Sequence, residues 1–139
     1  MEISLVRRRL TETIERAKKQ AAERRGRNDQ AAKDFDVFLQ HIAVPLFRQI
    51  ANALKADGYA FTVFTPSGSV RLMSDRSSDD FIDLSLDTAD DPPRVMAHVS
   101  RTRGRRVTDA ERAIGAADAL SEDELLAFLL KELEAFVER

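Results

Sequence analysis

The stretch from Ser4 to Asp57 reads as helix almost without interruption, and it holds over a third of a 139-residue chain. Too little sequence remains for a second independent core, so the rest of the chain must fold against the apolar face of this stretch as one domain. The run stops at Asp57-Gly58, where a glycine can take the left-handed conformation that closes a helix.

The helix changes character along its length. Its first part spaces Ile3, Val6, Leu10, Ile14, Ala17 and Ala21 three or four residues apart, a narrow seam of coiled-coil type. Charged residues surround it, with Glu12 placed to pair with Arg16 and Glu15 with Lys19. A seam this short, ending in alanines, forms no stable coiled coil alone and needs a partner surface. From Phe35 the stripe broadens through Phe38, Leu39, Ile42, Leu46, Phe47, Ile50 and Leu54, wide enough to cover a sheet. The expected organisation is a protruding helical seam over 1–28 and a globular body over 29–139.

Two positions interrupt the helical pattern. Around Gly26 the sequence either ends one helix and starts a second at Asn28 or Asp29, or runs straight through at a cost of about 1 kcal/mol. Ala21 and Phe35 are two heptads apart, so the apolar face resumes in phase, which favours the continuous helix. Pro45 removes a backbone donor and crowds the carbonyl of His41, which predicts a bend there.

After Gly58 the period becomes two. Tyr59–Thr65 and Ser69–Ser74 read as a hairpin around Pro66-Ser67-Gly68. Phe81–Asp87 alternates Ile82, Leu84 and Leu86 with polar residues, and Arg94–Thr102 does the same with Val95, Ala97 and Val99. Arg103–Ala119 reads as a surface connection with at most a short strand at Arg106–Thr108. Ser121 and Glu124 then form a capping box for a broad apolar helix to the C-terminus. The predicted fold is α+β: a long helix, a four-stranded antiparallel meander and a closing helix.

Net charge is −2, but it is distributed in blocks. Residues 1–28 sum to +5, residues 29–100 to −5, residues 101–112 to +3 and residues 113–139 to −5. Opposite blocks are expected to meet within the fold or across a dimer. With no cysteine, disulfides, thiolate metal sites and cysteine nucleophiles are excluded, and a cytoplasmic location is expected. No apolar run reaches the length of a membrane span, and no apolar core follows the N-terminal arginines as a secretory signal requires.

The candidate chemistry is sparse. Arg101, Arg103, Arg105 and Arg106 surround Gly104 and suit phosphate recognition, and the basic residues of 7–27 are candidates to extend that surface. A pI near 5.7 and the lack of aromatics among the arginines weigh against nucleic acid. Asp87, Asp90 and Asp91, or Asp79, Asp80 and Asp83, do not have the spacing of a calcium loop. His41 and His98 lack neighbouring ligands, and neither Ser67 nor Ser100 has a nucleophile context. No metal, cofactor or catalytic residue is predicted.

Three functional readings are compatible with these residues. The leading one is a protein-interaction or oligomerisation module, a homodimer whose interface includes Ile3, Val6, Leu10, Ile14, Ala17 and Ala21. The second is nucleic-acid or other polyanion binding through 7–27 and 101–106. The third is an enzyme whose site is assembled from distant residues.

Overall fold

The computed structural model describes residues 2–138. The leading helix, α1, spans Ile3–Phe38 and passes through Gly26 without a break. The flanking Arg24, Arg25 and Arg27 are good helix formers, and a cost of about 1 kcal/mol at the glycine does not stop propagation. At Leu39–Ala43 the backbone winds one π turn, and α2 continues over Val44–Ala56. The Val44 N–H donates to the Leu39 carbonyl, five residues back. This is how the chain meets Pro45, which has no N–H to donate: the turn before it takes an extra residue and the helix carries on. Buried Phe35, Phe38 and Leu39 are succeeded by Ala43, Leu46, Phe47, Ile50 and Ala51, so the core face is kept across the π turn.

The end of α2 is a Schellman motif. Gly58 N–H donates to the Lys55 carbonyl at 3.1 Å, and Tyr59 N–H donates to Leu54 at 2.8 Å. Gly58 sits at φ +89°, where an L side chain is strained.

The sheet is an antiparallel meander in the order β1 (Phe61–Phe64), β2 (Ser69–Ser74), β3 (Phe81–Asp87), β4 (Arg94–Arg103) and β5 (Arg106–Gly115). It therefore has five strands, one more than the sequence pattern predicts. The fifth is ten residues long where at most Arg106–Thr108 is expected. It lies at the edge, paired on one side only, and polar residues occupy both of its faces, so no hydrophobic alternation marks it. A two-residue turn at Gly104-Arg105 joins it to β4, with Arg103 opposite Arg106 and Gly104 at φ +65°. A glycine in this conformation at the first turn position is what a type II′ hairpin needs.

One face of the sheet is apolar. Cross-strand rows such as Val63, Leu72, Ile82, Val99 and Ala110 are set by the register. Both α2 and α3 (Glu122–Val137) pack on this face, giving two layers around a single core. The capping box of α3 forms as the sequence predicts: Glu124 N–H donates to Ser121 Oγ, and the Glu124 carboxylate accepts from the Ser121 backbone. Leu125, Leu129, Leu133 and Phe136 are buried, so α3 finds most of its partner surface inside the chain. Arg112 of β5 reaches Glu132 of α3 at 2.6 Å and fastens that helix to the edge strand. Among the described residues, no helix is long and apolar enough to cross a membrane.

Candidate interaction surface

The meander has two ends. The β1–β2 turn, the β3–β4 loop and the end of β5 lie at one; the β2–β3 turn and the β4–β5 hairpin lie at the other. The long helix approaches from the first end. Arg27 donates to both carboxylate oxygens of Asp91 in the β3–β4 loop, at 3.0 and 2.6 Å. Among the described residues this is the first polar link between α1 and the body. Everything before it overhangs as an arm, about 36 Å from Ile3 to Arg27 at the α-helical rise.

The Arg27–Asp91 pair is exposed, yet it perturbs both groups. The hydrogen bond from Arg27, more than its charge or that of Arg24, holds the Asp91 carboxyl below its ordinary range. The bond to Asp91 likewise raises Arg27. Gln20, Arg24, Arg27 and Asp91 line an open cleft of about 340 Å³ in the corner between arm and body.

The arm carries the predicted seam in the open. Ile3 is 74% exposed, Leu10 57%, Val6 46% and Ile14 45%. Ala17 is exposed and Ala21 half-buried. The steps from Ile3 to Ala21 average 3.6 residues, the period of a straight helix rather than the 3.5 of a left-handed coiled coil. The seam therefore stays on one side of an undistorted rod. Phe35, at the same azimuth, enters the core, so the seam faces the side on which the sheet lies.

The charges sort around this seam. At about 100° per residue, Arg7, Lys18 and Arg25 run along one border and Arg9, Arg24 and Arg27 along the other, with Glu2 beside them. On the far face, Arg8, Arg16 and Lys19 balance Glu12, Glu15 and Glu23. The whole +5 excess of residues 1–28 thus lies next to the apolar seam.

The other basic segment stands at the opposite end of the sheet. Arg101, Arg103 and Arg106 share the face that α3 packs on, and Arg105 occupies the hairpin turn. Arg101, Thr102, Arg103 and Gly104 line a cleft of about 360 Å³ with Ala135 and Glu138 of the α3 terminus. Among the described residues, none of these four arginines has a carboxylate within ion-pairing distance; the acid of α3 that does pair takes Arg112. The carbonyl ends of α3 and Glu138 border the cleft with negative potential. The basic segments 7–27 and 101–106 are therefore separate surfaces, divided by the length of β4.

The remaining candidates are spoken for. Asp80 is buried and accepts from the Thr102 N–H at 2.6 Å, Asp83 pairs with Arg71, and Asp87 accepts from the Ala89 N–H. Among the described residues, no three His, Cys, Asp or Glu side chains are grouped to hold a metal ion. His41 is exposed on the π turn. On the outer sheet face, Arg71, Asp83, His98 and Glu111 form one cross-strand row, and Arg71 and His98 flank the Phe81 ring at 4.0 and 5.1 Å. That row depends on strand register, which residue types alone do not reveal.

The broad apolar face of α3 is legible in the residue pattern, and part of its border is left open. Leu130 is 54% exposed, Leu126 and Val137 are half-buried beside it, and Asp123 and Glu134 run along its outer side. The chain matches no protein-family model, no curated protein and no solved structure.

Proposed function

We propose that this chain is a protein-interaction module that self-associates, with the arm as the contact. One observation carries the reading: four large aliphatic side chains stand exposed in line on a helix that no other described part of the chain covers. Burying what each leaves exposed would contribute about 1 kcal/mol. Charged arms need no such seam, and an apolar stripe at helical spacing suits a partner surface. A second copy is the simplest partner, because a twofold axis lets each chain both give and receive the contact. A cytoplasmic location goes with this reading and rests on the cysteine-free composition.

Light scattering on the full chain tests it. A dimer is expected at micromolar concentration, and Leu10→Asp with Ile14→Asp is expected to give a monomer of unchanged helix content. A wild-type chain that stays monomeric throughout that range removes the homodimer.

A second reading, polyanion binding at the β4–β5 hairpin, is favoured by the four arginines, which have no acidic partner among the described residues. Phosphate contact predicts affinity for DNA or RNA that falls steeply with salt, and a shallower fall for Arg103→Ala with Arg105→Ala. No retention at low salt removes it.

A further inference from the structure

We infer that the arm of one copy docks on α3 of a second copy, along the open border of Leu126, Leu130 and Val137, and not on a second arm. This rests on the self-association just proposed and names the receiving surface.

Charge makes the choice. Two arms laid seam to seam would bring Arg7, Arg9, Lys18, Arg24, Arg25 and Arg27 of each copy against the same six residues of the other. Like charges lined along a desolvated contact oppose association, and of the arm's four acids only Glu2 stands beside them, the other three being on the far face. The α3 border has the opposite character. Asp123 and Glu134 are exposed along its outer side, while Glu124, Glu138 and the one exposed lysine, Lys131, lie further round the helix. The net charge of residues 121–138 is −5, one unit of which is Glu132 already paired with Arg112, against the +5 of residues 1–28.

Dimensions and shape agree. Ile3 to Ile14 covers about 17 Å of helix and α3 about 24 Å, so the exposed part of the seam fits along the receiving helix. Because the seam has the period of a straight helix, it can lie along a short helix without either one supercoiling. Each copy has one arm and one α3, so a twofold pair closes with two identical contacts and leaves neither seam open. Among the described residues the +5 block of 1–28 pairs within the chain only with Asp91, and this docking brings it against the −5 block of 121–138 between chains.

Salt dependence and complementation test it by light scattering and sedimentation. Arm-on-α3 docking predicts a dimer that weakens as salt rises, whereas arm-on-arm pairing tightens as its repulsion is screened. Leu10→Asp and Leu130→Asp should each raise the dimer Kd by about a hundredfold, tenfold at each of two contacts. Mixed in equal amounts, the two variants should associate about tenfold more tightly than either alone, because a mixed pair keeps one contact whole and puts both lesions in the other, where the second removes little that the first has left. Asp123→Lys with Glu134→Lys repeats the α3 test without touching an apolar side chain.

If Leu10→Asp dissociates the dimer while both α3 variants leave it intact, or if salt tightens the native dimer, the α3 docking is overturned and the arm reading stands. If Leu10→Asp changes nothing, or the native chain is a monomer, both fall.

Discussion

Two glycines show how position decides the effect of one substitution. Gly26 lies in mid-helix, and a methyl group there would meet nothing within 4 Å. Gly26→Ala should therefore stabilise the arm by about 0.5 to 1 kcal/mol, since alanine loses less backbone freedom than glycine. The arm opens locally, so the measurement is amide exchange over residues 22–30, which should slow by about twofold to fivefold. Gly58 has equal space around it but sits at φ +89° in the Schellman turn. Gly58→Ala should cost about 1 to 2 kcal/mol in chemical denaturation, the penalty of a left-handed L residue. The Arg27–Asp91 link has its own signature. Its carboxyl is held low by Arg27, so the contribution of this pair is present at neutral pH and fades as pH falls through the lowered pKa. Arg27→Gln should return the Asp91 titration, followed by NMR, upward toward about 3.9.

At the scale of elements, legibility in the sequence depends on whether an element has a buried face. The helix, β2, β3, β4 and α3 each set apolar residues at the right period against a core, and their positions can be read from the residues alone. β5 does not, because an edge strand with Arg112, Glu111 and Asp109 along it has no period to show. The available signal was local: Gly104-Arg105 is a two-residue turn with glycine first, which suits a hairpin and predicts a returning strand. The candidate residues divide the same way. The seam is legible because it is helical and local, whereas the α3 border is legible only once the buried side of α3 is known. β5 is held in place partly through Arg112, whose partner Glu132 is largely buried. Arg112→Ala leaves that carboxylate without its cation and should destabilise the fold by about 1 to 3 kcal/mol. Arg112→Leu with Glu132→Leu should recover most of the loss, since an apolar pair has no charge to desolvate. Urea denaturation of the native chain and these two variants separates the outcomes.

At the scale of the whole molecule, core and arm are separate sources of stability. Among the described residues the first buried one is Phe35, and the core cluster draws on none before it. Removing residues 1–24 therefore takes away the seam but leaves Arg27–Asp91 and every core contact in place. A body held together by its own core unfolds at a temperature independent of protein concentration. A dimer does not: association favours the folded state by mass action, so its midpoint rises with concentration. The full chain should show that rise and the shortened chain should lack it, with the two midpoints converging as the solution is diluted. Calorimetry over a hundredfold concentration range reads both at once. A shortened chain that unfolds well below the full chain even at high dilution would mean that the arm supports the core of its own protomer, and the division between body and arm would have to be redrawn.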